Sequence, residues 1–130
     1  MSGAVDPLFL TLEQVLGFHE VQIRLFGGAP GILDAGLLQS ALAQPQTTWC
    51  YDTAADLFDL AAAYVFHVVK NHAFRDGNKR VALHAGLAFL HINGASVRAS
   101  QEEMYSATIQ LVTSEIDKRQ FANFLRTHRA

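Results

Sequence analysis

The residues best suited to chemistry lie in one continuous stretch, which we call the motif loop: His72-Ala73-Phe74-Arg75-Asp76-Gly77-Asn78-Lys79-Arg80. It combines an imidazole, a carboxylate, a glycine and neighbouring cations at the expected start of a helix. There the first backbone N–H groups have no partner within the helix, and the helix dipole favours an anion. The combination predicts a site for a phosphate group with a proton acceptor beside it.

The second half of the motif loop predicts the phosphate site itself. Gly77 lets the backbone bend and approach a ligand closely. The consecutive N–H groups of Gly77, Asn78 and Lys79 can then form a concave nest for an anion. Lys79 and Arg80 add positive charge, and the Arg80 guanidinium can contact two phosphate oxygens at once. We therefore expect Gly77, Asn78, Lys79 and Arg80 to bind the phosphates of a nucleotide.

The first half of the motif loop predicts a metal ligand and a base. Asp76 would repel a phosphate unless a divalent cation lay between them, and magnesium binds one or two carboxylates together with phosphate oxygens and water. His72 is the natural acceptor for the proton of an incoming hydroxyl. Phe74 is expected to anchor the loop in the core. The predicted chemistry is nucleotide-dependent transfer of a phosphate-containing group to a protein hydroxyl.

Each of these residues also has a purely structural interpretation. Asp76 and Asn78 could cap the helix, Gly77 could serve a turn, and the two cations could simply be solvated. A lone histidine is also more often structural than catalytic. A simple turn, however, does not need His, Asp, Gly, Asn and Arg together at one helix start. The combination favours function over structure.

The elements that must position this loop are helices. Hydrophobic spacing and capping residues predict six of them, over about 11–26, 34–43, 52–70, 78–92, 100–112 and 117–128. The helix over 78–92 is apolar almost all round, which predicts a central, buried element. The polar and aromatic residues of 45–52 predict an exposed flap or short hairpin. The fold class is therefore all-α, a helical bundle in a single domain spanning residues 1–130.

Composition limits the kinds of partner. Half of the 130 residues are hydrophobic and the formal net charge is −2, so we expect no direct binding to nucleic acid and no attraction to acidic membranes. A local cluster of Arg75, Lys79 and Arg80 favours a small anion instead. The single cysteine, Cys50, excludes an intramolecular disulfide. With no signal peptide or long apolar stretch, we expect a cytoplasmic protein without a membrane partner.

A metal-dependent hydrolase is one alternative, since the sequence has six histidines. His84 and His91 lie seven residues apart and could share a helix face. No HExxH pattern or HD pair with suitable spacing accompanies them, so core or surface roles explain these histidines better. The pair His19-Glu20 is likewise interpreted as an ordinary helix pair.

The motif loop resembles the signature of the Fic/Doc family, roughly HxFx(D/E)GN(G/K)R. The match covers His72, Phe74, Asp76, Gly77, Asn78, Lys79 and Arg80. Stretches 10–15, 26–32, 36–46 and 89–94 are similar to the death-on-curing (Doc) branch, the toxins of type II toxin–antitoxin systems. The resemblance thus extends over nearly the whole chain, and it implies the Fic/Doc-type helical bundle.

The resemblance implies an activity and a role for each matching residue. ATP would be the phosphate donor and Mg²⁺ the metal, with His72 as general base and Asp76 as metal ligand. Asn78, Lys79 and Arg80 would complete the catalytic set. The family's flap, which aligns target segments by strand addition, would correspond to the helix-free segment around Gln46, Thr47, Thr48 and Trp49. The acceptor would be a Ser or Thr hydroxyl of a target protein, in this branch elongation factor Tu, so that translation stops.

Two departures from the family's AMP-transferring members favour phosphate transfer. Those members often have the pattern GNGRxxR, whereas Lys79 stands in place of the second glycine and Leu83 in place of the second arginine. Both changes are similar to the Doc branch. Transfer of AMP and a non-catalytic binding module remain alternatives.

The family's inhibitory helix carries the pattern (S/T)xxxE(G/N). No glutamate of this chain has Ser or Thr four residues before it. The resemblance therefore implies that inhibition comes from a separate, Phd-like antitoxin.

Overall fold

The computed structural model describes residues 6–130, which form six α-helices. They are α1 (Leu12–Phe26), α2 (Ala35–Tyr51), α3 (Leu57–Asn71), α4 (Asn78–Ile92), α5 (Gln101–Val112) and α6 (Lys118–Thr127). Within these residues β-pairing is limited to two isolated bridges, Ile32 with Phe74 and Val97 with Arg129. The all-α class predicted from the sequence is confirmed. The N-terminal residues 1–5, on which the expected lack of a signal peptide partly rests, lie outside the described part.

Helices α3 and α4 form the centre of the bundle and pack closely. Helix α3 also packs against α2, α5 and α6 and is the most completely buried helix, so it shares the central place expected for 78–92 alone. Gly86 of α4 allows the close approach. A methyl group there would lie 2.5 Å from Cγ2 of Val65 and 3.1 Å from the carbonyl oxygen of Ala61. The motif loop connects these two central helices, so its ends are fixed by the core.

Side-chain caps begin five of the six helices in residues 6–130. The capping residues are Thr11, Asp34, Asp56, Ser100 and Asp117. The capping boxes predicted at Thr11 and Ser100 and the cap predicted at Asp34 are confirmed. Each oxygen accepts a hydrogen bond from an N–H group that the helix cannot satisfy. Helix α4 is the exception, and its start belongs to the motif loop.

The predicted start of the third helix at Asp52 or Thr53 is wrong. Helix α3 begins after Asp56, whose carboxylate accepts hydrogen bonds from the N–H groups of Phe58 and Asp59. The Asp59 carboxylate in turn accepts from the N–H of Asp56. Arg126 of α6 forms ion pairs with both carboxylates. A tertiary ion pair therefore adds to the local cap and selects this start over the earlier one.

The flap or hairpin predicted for 45–52 is also wrong, because α2 continues through Pro45 to Tyr51. The Pro45 side chain is buried, so packing offsets the N–H that a proline cannot donate within a helix. The hydroxyl groups of Thr47 and Thr48 donate to the carbonyl oxygens of Ala43 and Gln44. Gln46, Thr47, Thr48 and Trp49 are therefore helical and offer no strand edge for a target. No helix of residues 6–130 has the length and apolar character needed to cross a membrane.

Candidate active site

The motif loop turns the chain between α3 and α4 by means of two left-handed residues. His72 ends α3 with φ 49° and ψ 51°, and Gly77 precedes α4 with φ 77°. The left-handed region is uncommon for a residue other than glycine. His72 is solvent-exposed, whereas Phe74 is buried below the loop. The turn thus presents the imidazole at the surface while Phe74 fills the core.

The buried side chain of Asn78 forms hydrogen bonds with the backbone of the motif loop. Its Oδ1 accepts a hydrogen bond from the N–H of Phe74 at 3.1 Å, and its Nδ2 donates to the carbonyl oxygen of Phe74 at 2.9 Å. The Asn78 side chain is buried, and its Nδ2 also lies 3.5 Å from Nε2 of His72. The amide side chain therefore holds the loop together, a positioning role that the sequence did not reveal, while the backbone N–H of Asn78 lies in the first turn of α4.

The first turn of α4 keeps three free donors. The Gly77 N-cap supplies no side-chain oxygen, and the first hydrogen bond within the helix runs from the N–H of Val81 to the carbonyl oxygen of Gly77 at 2.9 Å. In the described part of the chain, no hydrogen bond uses the backbone N–H groups of Asn78, Lys79 or Arg80. Together with the helix dipole, these donors form a site suited to an anion.

The Asp76 carboxylate lies at the entrance to this helix. Its Oδ1 accepts from the N–H of Gly77 at 2.8 Å and its Oδ2 from the N–H of Ala29 at 3.3 Å. The absent side chain of Gly28 leaves it space, since a Cβ there would lie 2.7 Å from Oδ2. Residues 6–130 contain no group of three His, Cys, Asp or Glu side chains that could hold a metal ion. A single exposed carboxylate fits the way magnesium binds one or two carboxylates together with phosphate oxygens and water.

The segment 28–34 lies beside the motif loop and pairs with it around Ile32. The N–H of Arg75 donates to the carbonyl oxygen of Gly31, and the N–H of Leu33 donates to that of Ala73 at 2.7 Å. These two bonds flank the bridge between Ile32 and Phe74. Segment 28–34, in the connection between α1 and α2, is therefore the backbone that pairs with the motif loop.

His19 of α1 supports the loop from the opposite side, a role that the sequence did not reveal. Its ring stacks on Phe74 with centroids 3.9 Å apart and an interplanar angle of 15°. Its Nε2 lies 2.8 Å from the carbonyl oxygen of Asp76. The ring is only 4% exposed. The spacing of His19 on the inner face of its helix was the single signal available, and it equally suits a core residue.

The motif loop lines a cavity of about 380 Å³, together with apolar side chains of α3 and α5: Val69, Tyr105 and Val112. Arg75, Lys79 and Arg80 are exposed and take part in no salt bridge among the described residues. The Arg80 guanidinium lies 4.8 Å from the centre of the Phe26 ring, a cation–π contact that leaves its charge available. The cavity therefore has one cationic wall with a single carboxylate and one apolar wall.

Comparison with known proteins agrees with this geometry. The profile of the Fic/DOC family matches residues 9–90, more than half of the chain. The chain belongs to the Fic/Doc family. It is 34% identical over 114 residues to the "Protein kinase doc" of Escherichia phage P1, covering 88% of this chain and 90% of that protein. It is 47% identical over 92 residues to the "Toxin Doc" of Mycolicibacterium smegmatis, covering 70% of this chain and 68% of that protein.

The residue that replaces the second arginine in this Fic/Doc protein does not reach the motif cavity. Leu83 lines a separate groove of about 770 Å³ between α1, α4 and α5, where Arg80 and Tyr105 are shared by both spaces. Lys79, in contrast, lines the motif cavity. The motif cavity is therefore bordered by the Lys79 cation and not by the side chain at position 83.

Proposed function

We propose that this chain is a Doc-like toxin that transfers the terminal phosphate of ATP to a Ser or Thr hydroxyl of a target protein. The observation that carries this proposal is the uncapped start of α4 beside an exposed histidine and carboxylate. Three free N–H groups and three cations without carboxylate partners favour a polyphosphate. The name of the phage P1 relative, "Protein kinase doc", supports phosphate transfer as the reaction.

His72 is proposed as the general base. The target hydroxyl gives its proton to His72 Nε2, its oxygen forms a bond to the terminal phosphorus, and the bond between that phosphorus and the bridging oxygen breaks to release ADP. The nearby Nδ2 of Asn78 carries hydrogens, so its 3.5 Å approach favours an unprotonated Nε2 that can accept. The exposure of His72 lets a protein hydroxyl reach it.

Asp76 is proposed as the residue that holds magnesium, which when bound neutralises phosphate charge. Its Oδ2 would share this role with the hydrogen bond from Ala29. Lys79 and Arg80 would bind the phosphates from the cationic wall, while the backbone N–H groups of the first turn receive them. Asn78 and Phe74 keep that turn in place.

We propose segment 28–34 as the target-docking strand, in place of the flap expected at 45–52. Its bonds to the motif loop run through Gly31 and Leu33, so the N–H and C=O of Ile32 point to the outer edge. No hydrogen bond of residues 6–130 uses either group. A target segment that pairs there would pass close to His72, and elongation factor Tu is the first target to test.

The groove between α1, α4 and α5 is proposed to receive an antitoxin helix. Its lining is largely apolar, with Phe26, Leu83, Leu87 and Met104 among its residues. Arg80 and Tyr105 join it to the motif cavity, so an occupant would also block access to the phosphate site. This agrees with inhibition from a separate, Phd-like chain.

The test is incubation with magnesium, a cell extract or purified elongation factor Tu, and ATP labelled at either the γ or the α phosphate. Label from the γ position alone is expected. Label from the α position would show AMP transfer instead, and no label would favour a binding module. The His72→Ala variant should lose all transfer, whereas His91→Ala, which changes an exposed histidine at the end of α4, should keep it.

A further inference from the structure

The peptide between Asp76 and Gly77 is held by one contact from α1, the approach of His19 Nε2 to the Asp76 carbonyl oxygen at 2.8 Å. We propose that His19 is a positioning residue that locks this peptide so that the Gly77 N–H faces the phosphate site. The proposal rests on the proposed function for its kinetic readout, but its structural readout is independent of activity.

The direction of the hydrogen bond follows from chemistry. A carbonyl oxygen only accepts, so Nε2 of His19 must carry the hydrogen that bonds to Asp76 at 2.8 Å. Both the neutral Nε2–H form and the cation supply that donor. The ring cannot move aside easily, because it is buried and stacked on Phe74 at 3.9 Å. His19 is thus a fixed donor aimed at one carbonyl group of the motif loop.

Because the peptide group is planar, fixing the direction of the Asp76 C=O also fixes the direction of the Gly77 N–H. In a trans peptide the C=O and the N–H point in opposite directions. With the Asp76 oxygen held towards α1, the Gly77 N–H must point away from α1, where it donates to Asp76 Oδ1. His19 borders the cavity behind the loop, and Gly77 borders the motif cavity in front of it. The bond therefore orients the Gly77 N–H and, through the hydrogen bond to Oδ1, the Asp76 carboxylate beside the free donors of α4.

The lock is needed because residue 77 is glycine. Glycine populates positive and negative φ with similar ease, so rotation of the 76–77 peptide meets little local resistance. The left-handed value of 77° is the one that accompanies the His19 bond. Asn78 fixes the backbone of Phe74 but makes no contact with the Asp76 carbonyl. Among residues 6–130, His19 is therefore the one residue outside the motif loop that forms a hydrogen bond with this peptide.

Two variants distinguish the contribution of the His19 N–H donor from that of its aromatic ring. His19→Phe keeps an aromatic ring on Phe74 but has no donor, whereas His19→Gln keeps an N–H donor at similar reach and loses the ring. We expect His19→Phe to lower kcat by on the order of 10- to 100-fold, with KM for ATP changing less, because misplacement of catalytic groups has that effect. His19→Gln should retain more of kcat even if it is less stable. A kcat of His19→Phe equal to that of the wild-type protein would overturn the proposal.

A nuclear magnetic resonance measurement decides the same question without activity. In the wild-type protein the imidazole ¹⁵N shifts of His19 should show a protonated Nε2, and the Gly77 amide should give one sharp signal. In His19→Phe, relaxation dispersion at the Gly77 amide should reveal exchange between two peptide orientations. A wild-type His19 with hydrogen on Nδ1 alone would overturn the lock even if no variant folds. Failure of the labelling assay in the wild type would instead contradict the proposed function.

Discussion

The amide group of Asn78 forms two hydrogen bonds with the backbone of Phe74, one as donor at 2.9 Å and one as acceptor at 3.1 Å. A side chain four residues away thereby satisfies both polar groups of a buried peptide position. Because Phe74 N–H and C=O would otherwise be buried without partners, the loop depends on this residue for its shape.

Replacement of Asn78 by alanine should destabilise the fold and inactivate the site together. Two buried backbone groups lose their partner, so the free energy of unfolding should fall by about 1–3 kcal/mol. Urea denaturation measures this loss. Asn71→Ala is the matched control, since Asn71 donates a single exposed hydrogen bond to the carbonyl oxygen of Leu37. An equal effect of both substitutions would contradict the role of Asn78 in the loop.

Lys79→Gly should change which phosphate is transferred. The substitution restores the glycine of AMP-transferring members and removes a cation from the motif cavity. We expect label from α-labelled ATP to appear on the target while label from the γ position decreases. Arg119→Gly, an exposed basic position in the first turn of α6, controls for loss of charge and helix propensity. An unchanged label pattern would show that Lys79 does not set nucleotide orientation.

Gly86→Ala should destabilise the packing of α3 against α4. The added methyl group would lie 2.5 Å from Val65 Cγ2, so helices or side chains must move, at a cost of about 1–3 kcal/mol. Gly17→Ala in α1 is the control. A Cβ at Gly17 would meet no atom within 4 Å, and alanine in a helix is more stable than glycine by about 0.5–1 kcal/mol. The Tm of thermal unfolding should therefore fall for Gly86→Ala and rise for Gly17→Ala.

Stability should decrease as the solution becomes mildly acidic, in part because of His67. Burial of its ring and the nearby Lys118 ammonium lower the pKa of His67 from 6.5 to about 4. The unfolded chain therefore binds more protons between these values, and the free energy of unfolding falls as pH drops from about 6.5 towards 4.

His67→Gln should reduce this loss of stability, because an amide oxygen can accept from Lys118 without titrating. The wild type contains that contact between Lys118 Nζ and His67 Nε2 at 3.1 Å. The difference in Tm between neutral and mildly acidic solution, measured for both proteins, tests the prediction. Some dependence of Tm on pH should remain in His67→Gln, since burial also lowers the pKa of His84. An identical pH dependence in both proteins would exclude His67 as a source.

Local sequence signals predicted most of the helices and the motif loop. Thr11, Asp34 and Ser100 act through hydrogen bonds to residues three positions away, so their caps are visible in the sequence. The C-terminal end of α2 and the start of α3 depend on tertiary contacts. Burial of Pro45 and the ion pairs of Arg126 with Asp56 decide them, and neither is apparent before the chain is folded.

The site residues likewise fall into those that the sequence of the motif loop indicated and those that only tertiary packing reveals. The residue types of the motif loop indicated a phosphate site, and the uncapped start of α4 has the expected form. The supporting residues come from positions distant in sequence: His19 lies 57 residues before Asp76, and Ala29 lies 47 before it. No periodicity connects such pairs. Their pairing requires the packing of α1 and segment 28–34 against the loop.

If nucleotide binds as proposed, the unsatisfied first turn of α4 would link the supply of nucleotide to the stability of the folded protein. A ligand that binds only the folded form stabilises it in proportion to the logarithm of its concentration, by about 2.7 kcal/mol at a hundredfold excess over Kd. Side-chain caps satisfy part of the first turn in the other five helices, whereas no hydrogen bond of residues 6–130 uses the N–H groups of Asn78, Lys79 and Arg80 in α4. Depletion of nucleotide would raise the fraction of unfolded chains and shorten their lifetime in the presence of proteases.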